Sequence, residues 1–183
     1  MILPVWSYAW GGPLSSGLLR ATADDFCVTE QLSFEPSGEG EHVFLYVEKI
    51  GENTEFVARQ LARFANVRQM DVAYAGLKDR HARACQWFSV WLPGKADPDW
   101  QLLNSAQLQI RCITRHHRKL KRGTIACNRF VITLKDWQGD VAGTDRLLQR
   151  IKDEGFPNYY GEQRFGHHGR NVEKALALFT QGQ

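Results

Sequence analysis

The sequence predicts an α+β fold built on a mixed, largely antiparallel sheet with packed helices, and three observations carry that expectation. Apolar runs of strand length follow one another, mostly without an intervening helix, which argues against a doubly wound arrangement. Leu108, Ile110 and Cys112 alternate with Gln109 and Arg111, the period of a half-exposed strand. Val57, Leu61 and Phe64 recur at i, i+4 and i+7, the stripe of an amphipathic helix.

The elements follow in order. Residues 25–34, "DFCVTEQLSF", are rich in strand formers. The turn-rich "EPSGEGE" leads to "HVFLYVEKI" at 42–50, mostly apolar and so buried. "GENTEFVARQLARFANV" reads as a helix that Asn53 or Thr54 can cap. A short strand at 71–75 precedes "AGLKDRHA", and a strand at 84–92 follows it. Strands at 107–114 and 129–136 read as partners joined by "RHHRKLKRGTIACN". A helix covers 140–154 with Leu147, Leu148 and Ile151 inward. Beyond the Gly- and aromatic-rich "GFPNYYGEQRFGHHGR", a last helix begins at "NVEKALALFTQ" with Val172, Leu176 and Phe179 in register.

Composition bounds the function. A chain of 183 residues with 43% hydrophobic and 23% charged residues has the material for a core in one domain or one and a half. The net charge of +3 is too small by itself to imply a nucleic-acid partner. Cys27, Cys85, Cys112 and Cys127 show no C-x-x-C spacing and read as reduced thiols of a cytoplasmic protein. The adjacent pairs His116-His117 and His167-His168 are poor zinc clamps, because strand neighbours point to opposite faces. No metal is expected. The N-terminus lacks a charged leader, and no apolar run reaches membrane-spanning length. Glycine-rich phosphate loops, H-E-x-x-H and G-x-S-x-G are all absent, which removes the standard nucleotide, zinc-protease and serine-hydrolase readings.

Two constellations remain. Arg115, Arg118, Lys119, Lys121 and Arg122 fall within eight residues. They form either a solvated hairpin connection or a phosphate-contacting edge. Asp79 sits between Lys78 and Arg80 where one strand ends and the next begins. It is either a turn residue or a carboxylate presented in a cleft, with Gly76 allowing close approach. The residues themselves leave the bland reading ahead in both cases.

A resemblance reverses that order. "AGLKDRHARACQWFSV" is similar to the signature of the tRNA pseudouridine synthase D (TruD) family. "GLLRATADDFCVTE", "HRKLKRGTIACNRFVITL" and "GFPNYYGEQRFG" resemble three further family segments in the same order. The resemblance implies isomerisation of a uridine of tRNA, uridine 13, to pseudouridine, with no cofactor and tRNA as the partner. By the same likeness Asp79 is the catalytic aspartate. Phe26 and Asn128 contact the target nucleotide, and Phe130 stacks in the active site. Arg20 is the cation that pairs with the aspartate, at a position where the family usually has lysine. The chemistry agrees with these residue types. Breaking the glycosidic bond, turning the base and rejoining it through C5 is redox-neutral. It calls for an ionised carboxylate held by a cation, an aromatic wall and a cationic surface for deformed RNA.

Family members are about twice this length, so residues 1–154 are expected to form the first part of the catalytic domain and 155–183 the start of an inserted domain. The chain alone is expected to be inactive and to self-associate through an exposed strand edge, the full-length form being monomeric without a protein partner. Two alternatives stand beside this reading: a non-catalytic RNA-binding module or truncated paralogue, and a hydrolase using Asp79 on a small substrate.

Overall fold

A computed structural model describes residues 8–159, 161, 166 and 170–182. The strands are β1 (Ser15–Leu19), β2 (Phe26–Leu32), β3 (His42–Ile50), β4 (Val72–Tyr74), β5 (Arg83–Trp91), β6 (Leu108–His116), β7 (Ile125–Ile132) and β8 (Leu134–Gly139). The helices are α1 (Thr54–Phe64), α2 (Val141–Glu154) and α3 (Arg170–Thr180). Two compact units result, one of residues 17–137 and one of the chain up to Ser16 with Gln138 onward.

The first unit is a six-stranded sheet in the order β6-β3-β5-β2-β7, with β4 also on β5. β2 and β5 run parallel, and the other pairs in this sheet are antiparallel, so the expected α+β class with a mixed, largely antiparallel sheet is what forms. Strand periodicity builds the core. Val43, Leu45 and Val47 of β3 and Phe88 and Val90 of β5 point to one face. There they pack against Val57 and Leu61 of α1, together with Trp100 and Leu92. Asn53 occupies the N-cap position of α1 but makes no side-chain capping bond. The Thr54 hydroxyl instead donates to Gln86 Oε1 at 2.9 Å inside the protein.

One expected pairing is wrong. β6 does not pair with β7; β6 lies beside β3 at one end of the sheet and β7 beside β2 at the other. Alternation fixes which face a side chain takes, not which strand lies alongside, and both runs fit any antiparallel neighbour. The connecting segment is therefore a crossing and not a hairpin tip. Leu120 is buried there, and its N–H donates to Ser89 Oγ of β5 at 3.1 Å. Ser89 alternates with Phe88 and Val90, so the crossing runs over the face away from α1. The expected strand at 129–136 is also two strands. It breaks at Thr133, whose N–H donates to Asp25 O at 2.8 Å, and β8 leaves to pair with β1.

In the second unit, Leu147 and Ile151 of α2 line a pocket with Trp10, Pro13 and Phe156, whereas Leu148 is 57% exposed, against its expected inward position. A helical stripe wider than one neighbouring segment leaves its margin in solvent. On α3, Leu176 and Phe179 are exposed as well. Much of the "GFPNYYGEQRFG" string and the His167-His168 pair lie outside the described residues.

Gly40 marks a close approach that fixes the turn before β3. Its φ is +119°, and an added Cβ would sit 2.6 Å from the carbonyl carbon and oxygen of His116. Gly40→Ala is therefore expected to cost about 2 kcal/mol or more, because neither the backbone angle nor the space suits a side chain. A urea titration checks this, and an unchanged midpoint would contradict it.

Candidate functional site

Asp79 sits in the loop between β4 and β5, and the loop is held from inside. Gln86 of β5 donates through Nε2 to Gly76 O at 2.6 Å. The Lys78 N–H donates to Thr54 Oγ1 at 3.0 Å, which links the loop to the first residue of α1. The Lys78 side chain turns inward onto Glu30 of β2, a pair in which Lys78 is 9% exposed and Glu30 fully buried. Glu30 Oε1 also accepts from the Trp87 N–H at 3.2 Å. Arg80 donates to Gly51 O at 2.8 Å. The two cations that flank Asp79 in sequence are thus engaged elsewhere.

The Asp79 carboxylate, 46% exposed, meets a different cation. Arg20, the residue after β1, places its guanidinium 3.0 Å from Asp79 Oδ2. The same guanidinium lies over the Phe26 ring at 3.9 Å from its centroid. Arg20 has φ +59°, a left-handed conformation uncommon for a non-glycine residue and one that concentrates at functional sites. Phe26 is nearly closed off, and it packs edge-on against Phe130 with centroids 5.9 Å apart. Phe130 itself is 53% exposed. It stands opposite Val28 in the β2–β7 register, while Asn128, two residues along on the same face, stands opposite Glu30. α1 packs on β4 and β5, and so this end of the sheet face stays open at Phe130 and Asn128.

The structure thus groups Asp79, Arg20, Phe26 and Phe130 and sets Asn128 beside them. The basic run is not part of that group. Phe34 lies two residues past the end of β2 and eight from Phe26, which in extended chain is on the order of 25 Å. It lines a groove of about 770 Å³ with His116, His117, Arg118, Lys119 and Lys121. Within the run, Arg115 is clamped internally, to Asp97 at 2.6 Å and to the carbonyls of Gly40 and Lys95 at 2.9 Å each. Lys119 donates to Met70 O at 2.7 Å. Arg118, Lys121 and Arg122 are exposed and make no ion pair with the described residues. Burial, with Lys119 close by, lowers the His42 pKa, and burial lowers that of His116, so both imidazoles favour the neutral form.

Sequence reading missed the buried polar residues beneath the loop: Lys49, Thr54, Gln86 and Glu30. A signal existed. Glu30 follows Val28, and Lys49 follows Val47, at the spacing of a buried strand face, where a charge is out of place without a partner. On the opposite face Glu48 receives Arg83 at 2.6 Å and Arg111 at 3.1 Å. Burial alone would raise the Glu48 pKa, but the hydrogen bonds from the two guanidiniums outweigh it and the net shift is downward. Among the described residues there is no cluster of three or more His, Cys, Asp and Glu able to hold a metal ion. None of the described helices is long and apolar enough to cross a membrane.

Fold and site together define an α+β protein that presents an arginine-paired carboxylate beside an open aromatic ring at one end of a mixed sheet. The family follows from comparison: residues 4–178 match the model of tRNA pseudouridine synthase D (TruD), and the chain belongs to that family. It is 53% identical over 172 residues to the tRNA pseudouridine synthase D of Methylococcus capsulatus, covering 94% of this chain and 49% of that protein. It is 49% identical over 174 residues to the enzyme of that name from Aeromonas hydrophila, covering 95% of this chain and 49% of that protein. A crystal structure from Methanosarcina mazei, assigned as tRNA pseudouridine synthase D, superimposes with a TM-score of 0.71 at 28% identity, over 82% of this chain and 35% of that one. The chain spans about half the length of the curated relatives it matches.

Proposed function

We propose that this chain carries the reacting carboxylate of an enzyme that isomerises a uridine of tRNA, uridine 13, to pseudouridine. The observation that carries the reading is the Asp79–Arg20 pair at 3.0 Å beside the exposed ring of Phe130. In the reaction the bond from ribose C1′ to uracil N1 breaks, the base turns, C1′ bonds to C5, C5 gives up its proton to solvent, and N1 takes one up. Asp79 acts at the ribose–base junction through its carboxylate, and Arg20, at 3.0 Å, holds that carboxylate aimed. Phe130 offers a face on which the detached uracil stacks, and Asn128 offers an amide for hydrogen bonds to the base edge. Phe26 supports both Arg20 and Phe130 from beneath. On this reading residues 1–154 belong to the first part of a catalytic domain and 155–183 to the start of an insertion. Carbodiimide modification and primer extension on tRNA treated with the protein's full reading frame test it. A new stop at uridine 13 is expected, and a tRNA without one would refute the assignment.

The groove at the far end of β2 extends the same reading. Arg118 and Lys121 of the groove, with the neighbouring Arg122, hold phosphates of the same RNA and so position it without touching the reacting base. Replacing these three with serine is expected to make the slope of log-affinity against log-salt shallower by up to about three units, one for each lost contact. Single-turnover chemistry at saturating tRNA should be nearly unchanged. Filter binding across a salt series measures this, and an unaltered slope would mean that the three cations are only solvated.

A further inference from the structure

Lys49 ends the buried stripe of β3 and is fully inaccessible to solvent. Its three ammonium donors have three backbone acceptors: Glu52 O at 2.7 Å, Asp79 O at 3.1 Å and Lys78 O at 3.4 Å. A buried ammonium without a carboxylate in contact is costly, and an apolar side chain in its place would avoid the desolvation. Two of its three acceptors are the carbonyls of Asp79 and of the residue before it. Gln86 and Thr54 hold Gly76 and Lys78 of the same loop, but Lys49 is the side chain within that buried set that grips Asp79 itself.

We propose that Lys49 is a positioning residue for Asp79, fixing the peptide from which the carboxylate projects and so its direction toward Arg20 and the substrate. This rests on the reading of Asp79 as the reacting carboxylate. Lys49 cannot touch RNA itself, because its ammonium is closed off beneath the loop.

The charged groups around Lys49 are Asp79 and Lys78 in the loop and Glu52 in the turn after β3. Its cross-strand neighbours, Ala84 on β5 and Leu108 on β6, carry no charge. Burial pushes the Lys49 pKa from the ordinary 10.5 down to about 8; Asp79 and Glu52 oppose that fall, and Lys78 adds to it. The consequence has opposite signs for activity and for stability. Above about pH 8 the folded protein loses the charge and one donor, so the grip on Asp79 weakens. Between about 8 and 10.5 the unfolded chain still binds the proton that the folded one has released, so this group makes stability rise with pH. A lysine that served only the fold would not tie a falling rate to a rising stability.

The test uses Lys49→Met and Lys49→Arg in the full reading frame, with Asp79→Asn alongside. Lys49→Met is expected to lower the single-turnover rate at saturating tRNA by about 10²-fold, the scale of a small misplacement of a reacting group. Its tRNA affinity should stay within about threefold, and its melting temperature should be equal or higher. Lys49→Arg should recover part of the rate. In the wild type the rate should fall between pH 7.5 and 9, and that fall should be missing from Lys49→Met. A Lys49→Met rate within about threefold of wild type would overturn the proposal. If Lys49→Met does not fold, a folded Lys49→Leu with a rate within about threefold of wild type would overturn it equally. An active Asp79→Asn would sink the reading of Asp79 and this proposal with it. An inactive Asp79→Asn beside a fully active Lys49→Met would sink only the role of Lys49.

Discussion

Asp79→Asn is expected to lower pseudouridine formation by on the order of 10³-fold or more, with tRNA affinity nearly unchanged. Asparagine matches aspartate in shape but is a poor nucleophile and cannot balance positive charge developing at the ribose. The fold has little reason to respond. The Asp79 side chain is half exposed, and Arg20 is its side-chain partner, in a contact of the kind worth roughly 0–1 kcal/mol. Arg20 would keep its stacking on Phe26. Single-turnover pseudouridylation and a melting curve measured together separate chemistry from folding. Near-wild-type turnover in Asp79→Asn would remove the aspartate from the mechanism.

The largest expected effect on stability is at the buried pair beside it. Lys78→Met would leave the Glu30 carboxylate in a fully buried position without its cation. Breaking such a pair from one side costs about 3–5 kcal/mol, because a charge stays desolvated and uncompensated. The double replacement Lys78→Met with Glu30→Gln should recover much of that loss, since the amide keeps the hydrogen bond with the Trp87 N–H without the buried charge. Urea unfolding of the wild type, the single variant and the double variant checks this. A single-variant loss below about 1 kcal/mol would show that the pair is not sealed from water. Activity should fall in the single variant too, because Lys78 is the residue before Asp79.

Strand and helix positions were legible because apolar periodicity records which side of an element meets the core. His42–Ile50 agrees with the sequence reading at both ends, and Thr54–Phe64 lies within the expected helix. Partnership between strands was not legible. The runs at 108–116 and 125–132 look like a hairpin, yet they lie at opposite ends of the sheet, because the connection is anchored by Leu120 over β5. No local pattern marks a single buried leucine among five cations. Asp79, Arg20, Phe26, Asn128 and Phe130 entered through family likeness to short strings, and their grouping depends on strand pairings that those strings do not encode. The inward turn of Lys78 was invisible for the same reason. Its partner Glu30 is 48 positions away in sequence, and only the parallel pairing of β2 with β5 brings it near. Arg115 shows the limit of reading charge alone: it belongs to the basic run in sequence, but Asp97 and two carbonyls claim it in the fold.

The proposed exchange of the bond at uridine N1 for one at C5 expels the hydrogen of C5, and its loss reports that step directly. A tRNA transcript labelled with tritium at C5 of its uridines should be incubated with the full reading frame, and tritium in the solvent counted. Release approaching about one tritium per tRNA is expected, lost in Asp79→Asn. Stable tRNA binding without release of tritium would contradict the proposed exchange.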